Sequence, residues 1–301
     1  MNMRRIVIAD PLEPEVVTAI TALGEVVYLP PDLPTALSEA NVLIVRSATK
    51  VTSTLLENAP RLTLVARPGV GVDNIDLAAC AERGIKVINT PGASTNAVAE
   101  LTIACILNVL RHVPRAHLLM KKNIWAKKNL VGAEAAGKTL GLIGLGRIGG
   151  AVAQKAHGLG MKILAYQRTQ RSAPNVTLLP WNDLLARADI ISLHASLDEQ
   201  SRHCINAASI AQMKQGVYLI NLARGELVEE NALYEACRSG HIAAAALDVF
   251  KTEPYQGKLL ELDNVYVTPH IGASTKEAQL RLGTELISQL KSALAHEATK
   301  E

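Results

Sequence analysis

Arg224, Asp248 and His270 each follow a short apolar run: Val217 to Asn221, Ala243 to Leu247 and Val265 to Thr268. Glu253 lies in the segment just after Asp248. Imidazole titrates near neutrality, so His270 suits proton exchange at a hydroxyl or carbonyl oxygen. A nearby carboxylate such as Glu253 would orient that ring and stabilise its cation. Arg224 offers a planar fork that can clamp a carboxylate bidentately and polarise an adjacent 2-oxo group. Removing a hydride and a proton from a secondary alcohol beside a carboxylate needs these groups, plus an acceptor held near the carbon. Taken singly, each residue has a commoner structural use in an ion pair or a cap. Together and in this order they point to chemistry.

The acceptor has a candidate site in LGLIGLGRIG, residues 140–149, which runs from an apolar strand through Gly144-x-Gly146-x-x-Gly149 into a helix opening near Arg147. In a dinucleotide-binding turn the first glycine makes the bend and the second lets the backbone approach pyrophosphate. The third lets helix pack on strand, and the helix N-terminus supplies amide donors. The glycines alone also fit a plain turn; the strand before and the helix after select the binding reading. Arg147 and Ile148, His194 after the run Ile190 to Leu193, and Asp248 on the nicotinamide side complete the expected cofactor set. The next strand, Lys162 to Tyr166, ends about 20 residues past the glycines, where an acid would take the ribose 2'-hydroxyl. The chain reads Gln167, Arg168, Thr169 there. An amide, a guanidinium and a hydroxyl can each contact a 2'-phosphate, so NADP(H) is favoured over NAD(H), with both accommodated. The alternative is that Arg168 and Arg171 point into solvent while NAD(H) is held by other contacts.

The elements that must position these residues alternate along the chain. Ile6 to Ala9, Val42 to Val45, Leu64 to Ala66 and Lys86 to Ile88 are short apolar runs, each before a turn or helix, which describes a flavodoxin-like α/β domain. A long helix follows, with Ser94 or Thr95 as N-cap and Ala97 to Leu110 almost wholly apolar. Such a helix should be buried all round, either between two domains and against a second subunit or within one core. A second series, Leu140 to Ile143, Lys162 to Tyr166, Ile190 to Leu193, Val217 to Asn221, Ala243 to Leu247 and Val265 to Thr268, predicts a doubly wound parallel sheet. The three chemistry-bearing residues then sit outside the carboxyl ends of successive strands, where ligands bind in such sheets. The last helix, from about Thr275, carries Leu282, Leu286, Leu290 and Leu294 on one stripe and packs back on the first domain. The expected division is 1–95 plus 271–301 for a substrate domain and 96–270 for an inserted Rossmann domain.

Composition agrees with two domains of ordinary size in 301 residues. With 49% hydrophobic but only 3% aromatic residues, the core must come from Ala, Val, Ile and Leu, as in helix-covered parallel sheets. The net charge of +3 arises from scattered Lys and Arg, which argues against nucleic acid as a partner. Cys80, Cys105, Cys204 and Cys237 form no CxxC pair and read as reduced core residues, without a metal site. The start, MNMRRIVIAD, enters a strand at once, leaving no room for a signal peptide. No apolar run reaches the roughly 18 residues of a membrane span, so a cytoplasmic location is expected.

At these residues the chain resembles the D-isomer-specific 2-hydroxyacid dehydrogenases, most closely their phosphoglycerate dehydrogenase branch. The resemblance rests on VRSATKVT at 45–52, GVGVDNIDL at 69–77, NTPGASTNAVAEL at 89–101, GLIGLGRIG at 141–149, NLARGELVEE at 221–230, ALDVFKTEP at 246–254 and TPHIGAST at 268–275. It implies Arg224, Glu253 and His270 as the catalytic set and Asp248 as a cofactor contact. It also implies a substrate pocket lined by Arg46, Ser47, Arg67, Gly69, Val70 and Gly71, with Arg111 supplied by a second subunit of a homodimer. Arg46 and Arg67 favour a small 2-hydroxy or 2-oxo acid with a second anionic group, namely oxidation of 3-phosphoglycerate to 3-phosphohydroxypyruvate in serine biosynthesis. Glyoxylate or hydroxypyruvate reduction is the rival within the same chemistry, and a dinucleotide-sensing, corepressor-like binding protein the rival outside it. The family has Pro where Ser196 stands. Longer members continue into serine-sensing domains beyond the position of Glu301, so feedback by that route is not expected.

Overall fold

The computed structural model describes residues 4–169 and 172–298. The chain divides into two compact units, one made of everything up to Ser94 together with the chain from Ser274, the other of Thr95–Ala273.

In the first unit, strands β1 (Arg5–Ile8), β2 (Glu25–Tyr28), β3 (Val42–Ile44), β4 (Leu64–Arg67) and β5 (Lys86–Asn89) form a parallel sheet in the order β2-β1-β3-β4-β5. Side chains alternate across a strand, and here both faces are covered. Ile6, Ile8, Val42, Ile44, Leu64 and Ala66 pack on Leu286, Leu290 and Leu294 of the last helix, while Val7, Leu43 and Val65 pack on Leu37, Leu56 and Cys80 from the opposite helices. The expected leucine stripe is therefore the face that closes this core; Leu282 is buried as well. Helix α1 (Pro14–Thr21) joins the last helix through Val16 and Ile20, and the short helices α2 (Leu33–Leu37), α3 (Ser53–Glu57) and α4 (Leu77–Glu82) start at side-chain caps: Asp32, Thr52 and Asp76 each accept the amide three residues on.

The second unit holds β6 (Thr139–Ile143), β7 (Lys162–Tyr166), β8 (Val176–Leu178), β9 (Ile190–Leu193), β10 (Val217–Asn221), β11 (Ile242–Leu247) and β12 (Val265–Val267), all parallel, in the order β12-β11-β10-β9-β6-β7-β8. The order reverses beside β6, which makes that strand end the topological switch point. The sheet has seven strands rather than the six expected, and the first sheet five rather than four. The additional strands, β8 and β2, both lie at sheet edges and are half-exposed; β2 carries the apolar run Val26 to Leu29, absent from the expected series, whereas β8 spans three residues with Thr177 at its centre.

The helix α5 (Thr95–Arg111) departs from burial all round. Val98, Ala99, Cys105, Ile106, Val109 and Leu110 are buried in the core that also holds Val152 and Ala156 of the helix α7 (Arg147–Gly158), and Ala97 and Thr102 are buried too, whereas Glu100, Ala104, Leu107 and Arg111 form an exposed stripe within the chain. No single helix among the described residues is long and apolar enough to cross a membrane; α5 and the helix after it reach that length and apolarity only as a pair bent by 65°. The four cysteines are free thiols, and burial pushes Cys105 and Cys237 up to about 12, which leaves both unreactive.

Candidate active site

The glycine turn meets each requirement of a pyrophosphate cradle. Gly144 has φ +99°, and a Cβ there would lie 2.7 Å from the His194 carbonyl carbon. Its amide donates to the Tyr166 carbonyl at 2.9 Å, tying the turn to β7. A Cβ on Gly149 would lie 2.2 Å from the Gly144 carbonyl oxygen, so only glycine lets α7 approach the turn this closely. Around Gly146, by contrast, a Cβ would meet nothing within 4 Å. Gly146 is the N-cap of α7 and supplies no side-chain acceptor; the first amide bonded within the helix is that of Gly150, to the Gly146 carbonyl at 2.9 Å. The amides ahead of it, with the positive end of the helix dipole, form a ready anion site, so these residues fit a dinucleotide. His194 accompanies the turn, its Nε2 within 2.9 Å of Ser192 Oγ, and burial lowers its pKa to about 4, leaving a neutral ring.

Beyond β7, Gln167 is half-buried and Thr169 exposed. Arg168 is ion-paired with Asp198 and donates through Nη1 to Gln200 Oε1 at 2.9 Å. Arg171 lies outside the described residues. Sequence reasoning missed Asp198: its Asp-x-x-Ser turn is visible in the chain, but its pairing with a residue 30 positions away is not.

Arg224, Glu253 and His270 follow the adjacent strands β10, β11 and β12. Asn221 shapes the arginine turn, accepting the Ala223 amide at 3.0 Å and donating to the Arg224 carbonyl at 2.8 Å. The Arg224 guanidinium donates to the Ala223 carbonyl at 2.6 Å. A Cβ on Gly225 would come 2.0 Å from the Phe250 carbonyl carbon, so this turn presses on the backbone leading to Glu253. Glu253 accepts the Phe250 amide at 3.0 Å through Oε1 and meets His270 Nδ1 at 2.8 Å through Oε2. That contact fixes the ring by one nitrogen and leaves Nε2 as the nitrogen able to give or take a proton elsewhere. The pair is partly exposed, with 46% of the histidine and 38% of the glutamate side chain accessible.

Asp248 is 1% exposed and holds the histidine turn. Oδ1 accepts from Thr268 Oγ1 at 2.5 Å and from the Ile271 amide at 2.8 Å, while Oδ2 accepts the Gly272 amide at 2.8 Å. Between these donors His270 adopts φ +53°, a conformation that needs external support. The same bonds explain why the second unit runs to Ala273 instead of ending at 270: Ile271 and Gly272 are tied to β11. Asp248→Asn would set an amide nitrogen or a weaker acceptor against a backbone donor. It is expected to destabilise the protein by about 2–3 kcal/mol, read as an earlier midpoint in urea unfolding.

The first unit presents a second, cationic group of residues. The buried Asp10 accepts the amides of Arg46 at 2.5 Å and Thr49 at 3.2 Å, and Asn74 donates to the carbonyls of Arg46 and Thr49 at 2.7 and 2.6 Å, leaving Ser47 exposed at the tip. The Arg46 side chain reaches Gln279 Oε1 at 3.3 Å. Arg67 ends β4, the neighbour of β3, so both arginines stand at the carboxyl edge of one sheet. Gly69, at φ +149°, donates to Thr90 Oγ1 at 2.7 Å, and a Cβ there would lie 2.4 Å from Arg67 Nη1. Val70 is exposed and Gly71 half-buried beside it, and Arg111 lies on the exposed stripe of α5. Among the described residues, no group of three or more His, Cys, Asp or Glu side chains could hold a metal ion.

Comparison with known proteins converges on one family. The model described as D-isomer specific 2-hydroxyacid dehydrogenase, NAD binding domain, matches residues 103–272. A hydroxypyruvate reductase of Thermotoga maritima is 50% identical over 258 residues, 84% of each chain. A D-3-phosphoglycerate dehydrogenase of Methanocaldococcus jannaschii is 44% identical over 305 residues, covering 98% of this chain but 58% of that relative. Among solved structures, an NADPH-dependent glyoxylate/hydroxypyruvate reductase from Sinorhizobium meliloti, in complex with NADP and malonate, superposes with a TM-score of 0.89 at 30% identity, over 97% of this chain and 93% of that one.

Proposed function

The chain belongs to the D-isomer-specific 2-hydroxyacid dehydrogenase family, and from that membership we propose that it is an NAD(P)-dependent oxidoreductase interconverting 3-phosphoglycerate and 3-phosphohydroxypyruvate. The observation that carries the reading is the His270–Glu253 contact of 2.8 Å, one strand away from Arg224 and in the same unit as the glycine turn. A dinucleotide held at the Gly144–Gly149 turn and the N-terminus of α7 would supply or accept the hydride. Arg224 binds the substrate carboxylate through its planar fork and polarises the 2-oxo group. His270 Nε2 gives a proton to the carbonyl oxygen during reduction and takes it from the hydroxyl during oxidation. Glu253, held by the Phe250 amide, keeps the ring oriented and balances the imidazolium. Arg46 and Arg67, both at the carboxyl edge of the first unit's sheet, are the cations we propose for a second anionic group, which favours the phosphorylated acid.

The 50% identity to a hydroxypyruvate reductase favours a second reading, in which the unphosphorylated acid is the substrate. Initial rates with NADH and NADPH on phosphohydroxypyruvate, hydroxypyruvate, glyoxylate and pyruvate separate the two. Arg46→Ala or Arg67→Ala is expected to lower kcat/KM on phosphohydroxypyruvate by about 10- to 100-fold while sparing hydroxypyruvate. Equal losses on both acids would support the second reading. No turnover of any 2-oxo acid would point to a dinucleotide-sensing binding protein instead.

A homodimer is part of the same proposal. The helix α6 (Val113–Lys121) has no buried residue, and Val113, Leu118, Met120, Ile124, Trp125 at 77% and Val131 at 80% exposure are a run of exposed apolar side chains after α5 that a second copy of the chain would cover. Free, largely buried thiols suit the cytoplasmic location proposed with it.

A further inference from the structure

Arg168 stands where a dinucleotide fold usually places an acid for the ribose diol, yet a carboxylate is still present, brought from another loop. Asp198 follows β9, and its position is set by its own turn. Oδ1 accepts the amides of Gln200 at 3.0 Å and Ser201 at 2.8 Å, and the Asp198 amide donates to Ser201 Oγ at 2.8 Å. The Ser201 hydroxyl in turn donates to the Ser196 carbonyl at 2.8 Å. The carboxylate is thus the fixed member of the pair, and Arg168, an exposed long side chain that also reaches Gln200, the movable one. The Arg168 guanidinium, with the Ser201 amide, holds Asp198 down to about 2, so its charge is present at any working pH.

We propose that Asp198 sets the choice between NAD(H) and NADP(H) by competing with the ribose 2'-phosphate for Arg168. This rests on the dinucleotide reading given above. A 2'-phosphate gains from the guanidinium but meets the repulsion of a carboxylate that cannot move away, whereas an uncharged diol meets only hydrogen-bonding groups. A surface pair of this kind is weak enough for Arg168 to turn towards a phosphate, so the chain takes both cofactors and Asp198 sets their ratio.

Calorimetric titration of the whole chain with adenosine 2',5'-bisphosphate and with 5'-AMP tests this without turnover. Asp198→Asn, which keeps an acceptor for the turn amides, is expected to tighten the bisphosphate by about 10-fold relative to 5'-AMP. Arg168→Ala should weaken the bisphosphate by about 10-fold, and in the double variant the gain from Asn should shrink. An unchanged ratio in Asp198→Asn, or no binding of either nucleotide, overturns the proposal. If the ratio shifts as expected while no 2-oxo acid is reduced, the proposed reaction fails and this inference stands.

Discussion

Replacing His270 by alanine is expected to lower kcat for 2-oxo acid reduction by about a hundredfold or more while leaving the dissociation constant for NADH within about twofold. The two readouts separate because of where the ring is held. Its Nδ1 is taken by Glu253 at 2.8 Å, so Nε2 is the only atom left for the reacting oxygen, and no bond from the ring supports the glycine turn. The backbone at 270 has φ +53°, which alanine tolerates poorly, so His270→Asn, a residue at ease in that region, serves as the companion variant. Glu253→Gln should give a smaller loss, because an amide still orients the ring without balancing its charge. Turnover near the wild-type rate in both histidine variants would remove His270 from the mechanism.

The second large effect belongs to Gly144. Alanine there would place a Cβ 2.7 Å from both the carbon and the oxygen of the His194 carbonyl and 2.8 Å from the Ala195 nitrogen, at a φ of +99° that alanine resists. The turn must move away from β9, and the helix dipole and amides with it. The expected result is a loss of dinucleotide affinity of about a hundredfold, with about 2–4 kcal/mol of stability, measured by fluorescence titration and thermal unfolding. Gly146→Val provides the contrast. Its Cβ meets nothing within 4 Å, so stability should stay close to wild type while affinity falls, because the side chain stands in the pyrophosphate's place. Equal losses of stability in the two variants would contradict the separate roles given to these glycines.

Much of this site was legible in the chain because the relevant signals are local. The glycine spacing, the apolar run before it and the helix opening at Arg147 lie within one short segment, and the structure has them as expected. The leucines at 282, 286, 290 and 294 repeat with the helical period and are buried. Of the two edge strands, β2 was legible in the apolar run Val26 to Leu29 although the expected series left it out, whereas β8, three residues around Thr177, takes its place from backbone pairing with β7. The exposed stripe of α5 was hidden for the opposite reason, since Ala104 and Leu107 are apolar wherever they face.

By itself, then, the sequence determined which residues could carry the chemistry, the turn that receives a dinucleotide and the alternation that makes two parallel sheets. These follow from residue type, conformational freedom and periodicity, all of which act over a few neighbouring positions. Only the tertiary structure decided which donors surround the carboxylates. Asp248, expected at the nicotinamide, has three hydrogen bonds from the turn that presents His270, and Asp198, absent from the sequence reading, holds Arg168 across 30 residues. A carboxylate's role depends on which donors surround it, and here those donors arrive from different strand ends that only the order of the sheet brings side by side.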